Sequence, residues 1–184
     1  MPLHPVFYDF EASGLDGFPI EVGWASIGAQ KNILSGSWLI KPDPAWDLAA
    51  KWDKQAEEIH HISLAQVMAK GTPVRQVAAA LNQTLAGRDL YSDSTFDQKW
   101  MGQLFEAAGF KRSFHLKDKP APTLIDELRA ERGFTEDDVA WLYRTVDHES
   151  PHKDRAEPDA KHWAALWAAL LQRPPGKAGA GTDT

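Results

Sequence analysis

Two acidic side chains stand two residues apart in an otherwise apolar segment near the N-terminus, residues 6–12. Because successive side chains of a β-strand point to opposite faces, Asp9 and Glu11 are expected to project side by side from one face. The flanking valine, phenylalanines and tyrosine are typical of a buried strand, where two negative charges need compensation. No lysine or arginine adjoins the pair. The pair therefore predicts half of a divalent-metal centre, and such centres can activate water for hydrolysis.

The composition narrows the choice of metal and partner. The chain has no cysteine, so a disulfide, a thiolate ligand and a cysteine nucleophile are all excluded. Any metal must be held by carboxylates, histidines or carbonyls, a donor set that favours hard cations such as Mg²⁺ or Mn²⁺. The formal net charge of −6 argues against coating of duplex nucleic acid, because such binding depends on lysine and arginine at the phosphates. Handling of a short single-stranded end remains compatible with this charge.

The elements that must position these acids follow from the pattern of apolar residues. Three β-rich runs separated by turn residues predict a meander of three strands, at Val6–Phe10, Ile20–Ile27 and Leu34–Ile40. Helical spacing and helix-start signals predict helices at Lys54–His60, Ser63–Lys70, Thr72–Leu85, Phe96–Ala108, Thr123–Arg132, Thr135–Thr145 and about Arg155–Gln172. With a short strand at Arg88–Tyr91, this order predicts an α/β domain built on a mixed sheet.

Residues 1–172 are predicted to form one domain, because a chain of this length with 43% apolar residues can bury a sizeable core. Residues 173–184 are rich in proline, glycine and small side chains, which predicts a disordered tail. The sequence contains no apolar run of membrane-spanning length and no secretory signal at its N-terminus. These features predict a soluble, cytoplasmic protein with no membrane partner.

Two further acids stand near predicted helix starts. Asp97 follows Ser94-Thr95-Phe96, where a strand gives way to an amphipathic helix, and Asp159 lies in Arg155-Ala156-Glu157-Pro158-Asp159-Ala160 near the start of the last helix. Taken alone, each is more simply interpreted as a residue that the helix dipole favours than as a metal ligand. Their order and spacing after Asp9 and Glu11 support the second interpretation.

Three segments together resemble the three exonuclease motifs of the DEDD superfamily: Asp-Phe-Glu-Ala-Ser-Gly-Leu on the first strand, Ser-Thr-Phe-Asp at the strand-to-helix junction, and Arg-Ala-Glu-Pro-Asp-Ala at the last helix. Ile59-His60-His61-Ile62-Ser63 also resembles the Ile-His-Gly-Ile-Thr segment that many of these enzymes carry between the first two motifs. The resemblance spans roughly Val6 to Leu171 and is closest to the histidine branch. It implies a ribonuclease H-like fold, with a five-stranded mixed sheet flanked by helices, and 3′-to-5′ exonucleolytic release of nucleoside 5′-monophosphates.

The resemblance also implies roles for single residues. The four acids that bind metal in the superfamily match Asp9, Glu11, Asp97 and Asp159. By similarity, Asp9 would bridge two ions, and Glu11 and Asp159 would support the ion that activates water. Asp97 would act mainly through water on the other ion. Two Mg²⁺ or Mn²⁺ ions about 3.5–4 Å apart stabilise the attacking and leaving oxygens of an in-line displacement.

The substrate that the resemblance implies is a single-stranded 3′ end of DNA, RNA or a short oligonucleotide. Leu15 and Phe18 lie where related enzymes place apolar side chains against the terminal base, and such stacking tolerates any sequence. Phe18 is equally well interpreted as an ordinary core residue of the next strand. Many relatives pair as dimers, and the tryptophan-rich last helix would supply apolar surface, so a homodimer is a further expectation.

The sequence departs from the superfamily pattern at the general base. In the histidine branch a histidine stands five residues before the last aspartate, and here that position holds Asp154; the tyrosine-branch position, one residue later, holds Arg155. Three hypotheses follow. His152 swings in as the base, which its near-neutral unperturbed pKa would suit, with His148 further upstream. Alternatively, Asp154 is the base or an outer-sphere acid, with a pKa raised by neighbouring carboxylates. Finally, the protein is a catalytically weak or inactive module that keeps the fold and binds nucleic acid or a protein partner.

Overall fold

The computed structural model describes residues 4–149 and 154–174. Its strands are β1 (Val6–Ala12), β2 (Pro19–Ile27), β3 (Ile33–Lys41), β4 (Thr72–Pro73), β5 (Asp89–Tyr91) and β6 (His115–Leu116). Its helices are α1 (Lys54–His60), α2 (Leu64–Lys70), α3 (Val74–Leu85), α4 (Thr95–Ala108), α5 (Ala121–Glu131), α6 (Glu136–Glu149) and α7 (Ala156–Gln172). The predicted meander and the predicted helices are present, with ends that differ from the predicted ones by a few residues.

The strands form a mixed sheet in the order β4-β3-β2-β1-β5-β6. β1, β2 and β3 are antiparallel neighbours, whereas β5 is parallel to β1, β6 to β5 and β4 to β3. The mixed sheet built on a three-strand meander is confirmed, but within the described residues it has six strands rather than five. The difference arises because Thr72–Pro73, which the helix-start pattern assigns to α3, first pairs with Ile40 and Lys41 at the sheet edge. Proline is tolerated in such an edge position.

The side chains of β1 alternate between two layers of helices. Tyr8 and Phe10 are buried against α3 and α4, whereas Phe7 is buried against α5, α6 and α7. Because strand side chains repeat every two residues, Asp9 and Glu11 share the face of Phe7. This alternation directs both acids toward the layer that contains α7.

The last helix turns its tryptophans inward. Trp163 is buried, and the ring centroid of Trp167 lies 6.4 Å from that of Phe7. The apolar surface expected to support a homodimer is therefore used within the chain, and the homodimer stays a prediction. Beyond Arg173 and Pro174, the predicted disordered tail lies outside the described residues. No helix in the described ranges is both long and apolar enough to cross a membrane.

Candidate metal centre and active site

Asp9 and Glu11 stand on the strand between β2 and β5. The register of β1 with β2 places Asp9 opposite Gly23 and Glu11 opposite Glu21. Both carboxylates are half-buried, whereas the apolar side chains beside them are fully buried. The two acids therefore face a cleft rather than the closed core, in the side-by-side arrangement that their spacing predicts.

The loop after β5 delivers Asp97. Ser94 has an extended backbone, and its Oγ accepts a hydrogen bond from the Phe96 N–H at 3.1 Å, an N-cap that begins α4. Asp97 then lies in the first helical turn and is only 1% exposed. Its Oδ2 atom is buried and has no hydrogen-bond partner among the described residues. A buried carboxylate oxygen without a donor is costly unless a cation lies beside it.

Asp159 is positioned by contacts that fix the start of α7 on β2. Arg155 Nε donates to Glu21 Oε2 at 2.8 Å, and Arg155 Nη2 donates to Glu21 Oε1. The Ala156 N–H donates to Glu21 Oε2 at 3.2 Å. Glu21 is 3% exposed, so its charge is compensated by the two-pronged pairing that a guanidinium offers a carboxylate. Arg155, which occupies the tyrosine-branch position, therefore anchors the helix that carries Asp159.

Two further contacts bring α7 close to the sheet. Glu157 accepts hydrogen bonds from Ser35 Oγ at 2.8 Å and from Ser37 Oγ at 3.2 Å, both on β3. Gly23 on β2 lies beneath the helix start, where an added Cβ would fall 2.2 Å from the carbonyl carbon of Ala156. Glycine alone permits this approach of one backbone to another. The helix start thus lies against both β2 and β3.

The acids converge in two groups that share one residue. The first group is Asp9, Glu11 and Asp159, and the second is Asp9, Asp93 and Asp97. In each group, one carboxylate oxygen from each residue lies within 4.8 Å of those from the other two. The four acids chosen from the sequence are thus brought together, while their role in binding metal stays a prediction. Asp93 is an additional member that the motifs do not single out. Its position two residues after β5 is a usable signal, because the carboxyl ends of parallel strands meet at one edge of a sheet.

Burial and mutual repulsion raise the pKa values of the cluster. Burial raises the pKa of Glu11 to about 8, although the Arg155 guanidinium opposes this shift. Burial, followed by the charge of Asp93, raises the pKa of Asp97 to about 8. The pKa of Asp9 is raised well above its ordinary value, first by burial and then by the charges of Asp97 and Glu11. The raised pKa values therefore show that, without a cation, the surrounding protein does not compensate the charge that the cluster would carry with all its carboxylates ionised.

The donor set fits a pair of divalent ions. Carboxylate oxygens are the ligands that Mg²⁺ and Mn²⁺ prefer, and a carboxylate common to both groups, that of Asp9, suits two adjacent sites. The unpartnered oxygen of Asp97 supplies a buried acceptor that only a cation or a donor could satisfy. A bound cation would also lower the raised pKa values, because it inverts the local electrostatics.

A cavity of about 330 Å³ opens beside the carboxylates. Its lining includes Glu11, Leu15, Ile59, His60 and Trp100. Leu15 and Ile59 are 65% and 58% exposed, so apolar side chains reach solvent at its rim. Leu15 therefore lies where a flat apolar group bound next to the acids would contact it.

Phe18 is placed differently from Leu15. Its ring stacks on that of Trp46, with centroids 4.9 Å apart and planes 7° apart. It also packs against the buried cluster that includes Ile20 and Leu48, and it does not line the cavity beside the acids. These contacts favour the interpretation of Phe18 as a core residue over its interpretation as a substrate contact.

Of the three residues considered as general base, the structure describes His148 and Asp154. His152 lies outside the described residues. Asp154 is exposed, has a left-handed backbone with φ of 49°, and lies near enough to Glu11 to contribute to its raised pKa. His148 is exposed in the last turn of α6. The identity of the base stays a prediction.

Solved structures share this architecture. Over 94% of the chain, the fold matches Escherichia coli exonuclease I in complex with a dT13 oligonucleotide, with a TM-score of 0.59 and 16% sequence identity. The fold is that of part of exonuclease I. A moderately thermophilic exonuclease I from Methylocaldum szegediense matches the same share of the chain with a TM-score of 0.63 and 15% identity. The exonuclease fold that the sequence resemblance implies is therefore confirmed.

The similarity to these structures is confined to part of their length. The chain spans 42% of the E. coli protein and 41% of the M. szegediense protein. The zinc-ion-bound form of the E. coli exonuclease I complex with single-stranded DNA also matches, with a TM-score of 0.57 and 16% identity. No protein-family model matches the sequence, and no curated protein matches it. At this level of identity the match shows the fold alone.

Proposed function

We propose that this chain is a metal-dependent 3′-to-5′ exonuclease that hydrolyses the terminal phosphodiester bond of single-stranded DNA, RNA or a short oligonucleotide. The observation that carries the proposal is that two clusters of three acidic residues share Asp9 at a solvent-accessible cleft. The exonuclease fold supports it, as do the structures of E. coli exonuclease I in complex with single-stranded DNA or oligonucleotides.

In this proposal, Asp9, Glu11, Asp93, Asp97 and Asp159 hold two divalent ions, Mg²⁺ or Mn²⁺. The ions, when bound, supply Lewis acidity for the attacking water and for the departing 3′ oxygen. The protein's own contribution is positional. Arg155 and Gly23 hold the start of α7 on β2, and the Ser94 cap orients the first turn of α4, so that acids from three separate elements meet.

The cavity beside Glu11 is the proposed site for the terminal nucleoside. Leu15, Ile59 and Trp100 offer apolar contacts to a base, and these contacts do not depend on base identity. Loss of the Leu15 side chain is expected to raise KM more than it lowers kcat, because the contact is made equally in the ground state and the transition state.

For the general base, the proposal retains His152, with Asp154 as the alternative. Removal of a general base costs about 10²–10⁴ in rate, so the two alanine variants separate the hypotheses. A large loss for His152→Ala with near-normal activity for Asp154→Ala supports the first. The reverse pattern shows that Asp154 takes the proton.

The proposal is tested with 3′-labelled DNA, RNA and dinucleotide substrates in Mg²⁺ or Mn²⁺. The wild-type protein is expected to release nucleoside 5′-monophosphates from the 3′ end, and Asp9→Asn or Asp97→Asn to reduce the rate about 10³-fold. Asp137→Asn, which removes an exposed acid in the first turn of α6, is the matched control. Full activity in EDTA, or in the Asp9 and Asp97 variants, would contradict the proposal.

A second candidate function follows from the aspartate at the histidine-branch position, Asp154. If that departure has abolished chemistry, the chain is a module that binds single-stranded nucleic acid or a protein partner without cutting. Binding of the labelled strands without metal-stimulated cleavage of any substrate would establish this alternative.

A further inference from the structure

The basic stretch between α4 and α5 divides into two parts that differ in their electrostatic surroundings. Lys117 and Lys119 each form an ion pair with a carboxylate, at 3.4 Å and 2.5 Å. Within the described ranges, neither Lys111 nor Arg112 forms such a pair. In a chain with a formal net charge of −6, these two cations are therefore available to a ligand.

Lys111 and Arg112 border an open cavity of about 360 Å³. The other lining residues are mostly aromatic: Phe105, Phe110 and Phe114, with Gly102. We call this set of residues the α4 patch. Phe110 is 36% exposed, so one aromatic ring of the α4 patch reaches solvent near the two cations.

The α4 patch is held in place by contacts from α3. The Arg75 guanidinium lies 4.7 Å from the centre of the Phe110 ring, and its Nη1 donates to the Ala108 carbonyl at 2.8 Å. Asn82 Nδ2 donates to the Lys111 carbonyl at 2.9 Å, and Asn82 Oδ1 accepts from the Ser113 N–H at 2.8 Å. The loop is thus fixed before any ligand binds, which reduces the entropy that binding would cost.

Helix α4 joins the α4 patch to the metal centre. Asp97 lies in its first turn, and Gly102 and Phe105 lie five and eight residues later. At a rise of 1.5 Å per residue, the patch begins about 8–12 Å along the helix from Asp97. Stacked nucleotides advance by about 3.4 Å each, so this distance corresponds to roughly three nucleotides.

A solvated surface would account for two cations without a carboxylate partner, but it would not account for an exposed aromatic ring that lines the same cavity. Single-stranded nucleic acid is bound by this combination of an aromatic side chain that stacks on a base and cations that contact phosphates. We propose that the α4 patch binds the substrate strand roughly three or more nucleotides upstream of its 3′ end, with Phe110 stacking on a base and Lys111 and Arg112 contacting phosphates. This inference rests on the exonuclease activity proposed above.

The test compares substrates of different length. For single strands of two, four, eight and twelve nucleotides, kcat/KM is measured with the wild type, Phe110→Ala and the double variant Lys111→Ala/Arg112→Ala. In both variants, the preference for the twelve-nucleotide strand over the dinucleotide is expected to fall about five- to tenfold. Phe110→Tyr, which retains a ring, should restore the preference. Lys70→Ala, which removes an exposed cation at the end of α2, is the control for lost charge.

A binding measurement separates this inference from the proposed activity. Fluorescence anisotropy of a labelled twelve-nucleotide strand is recorded with the Asp97→Asn protein, with and without Phe110→Ala. Binding about fivefold weaker in Asp97→Asn/Phe110→Ala than in Asp97→Asn supports the α4 patch, even if no protein cleaves nucleic acid. Metal-dependent cleavage with the same length preference in the wild type and in every patch variant would overturn the patch and leave the exonuclease proposal intact.

Discussion

Replacement of Gly23 by alanine tests how closely the start of α7 must approach β2. The added Cβ would fall 2.2 Å from the Ala156 carbonyl carbon, 2.3 Å from the Glu157 nitrogen and 2.4 Å from the Ala156 oxygen. All three are backbone atoms, so no side-chain rotation relieves the overlap. Non-bonded carbon atoms settle at about 3.5 Å or more, so the strand and the helix start must separate by about 1 Å.

This displacement has a calculable consequence for the metal centre. Asp159 lies one turn after Ala156 and moves with it, whereas Asp9 and Glu11 stay on the sheet. Catalytic groups must be held within about 0.5 Å, and a misplacement of about 1 Å costs on the order of 10²-fold in rate. We therefore expect Gly23→Ala to lower kcat about 100-fold and to lower stability by about 1–3 kcal/mol through overpacking.

The assay combines single-turnover cleavage, urea denaturation and Mn²⁺ binding measured by electron paramagnetic resonance. Mn²⁺ binding should weaken in the variant even if no cleavage is detectable in the wild type. Gly36→Ala on the neighbouring strand is the matched control, because its added Cβ would first meet a side-chain atom, the Trp24 Nε1, at 3.1 Å. Wild-type kcat, stability and Mn²⁺ binding in Gly23→Ala would refute the claim that the close approach positions Asp159.

Three other predictions concern the same fold. Glu21→Gln should lower the free energy of unfolding in urea by about 2 kcal/mol, because it removes the buried carboxylate that pairs with the half-buried Arg155 guanidinium. Glu21→Gln/Arg155→Met should recover part of that loss, and equal losses in the two variants would argue against coupling. His61→Gly should raise the free energy of unfolding by about 1 kcal/mol, and with it the melting temperature, because His61 has a left-handed φ of 57° at the end of α1. A lower melting temperature would contradict this. In EDTA, the free energy of unfolding should fall as the pH rises from about 4.5 toward 8. The pKa values of Glu11 and Asp97 are about 8 in the folded state, so in this pH range the folded state binds more protons than the unfolded state. Mg²⁺ should reduce that loss, and a melting temperature that rises with pH in EDTA would oppose the assignment.

Local sequence patterns predict the parts of this fold that depend on a single element. The apolar run that begins β1 and the helical spacing of residues 156–172 are each contained in one segment of the sequence, so β1 and α7 could be recognised without any knowledge of their neighbours. The two-residue strands β4 and β6 carry no such pattern. They exist because a neighbouring strand edge offers hydrogen-bond partners, which is a property of the assembled sheet.

The candidate site shows the same division. The four predicted acids could be chosen because each lies in a recognisable motif, whereas Asp93 joins them only through the parallel pairing of β5 with β1. The pairing of Arg155 with Glu21 joins residues 134 positions apart. A lone glutamate in an apolar strand indicates that a cation must lie nearby, but the sequence does not say which one.

The charges of the site explain why a metal would be needed before the substrate can bind. Asp93 and four other carboxylates converge at the cleft, and Arg155, the cation that opposes their effect at Glu11, is already committed to Glu21. A phosphodiester approaching this cleft meets repulsion unless divalent ions reverse the local field. The α4 patch has the opposite character, because Lys111 and Arg112 have no carboxylate partner among the described residues. Strand binding at the patch should therefore persist in EDTA, whereas engagement of the 3′ end should require metal.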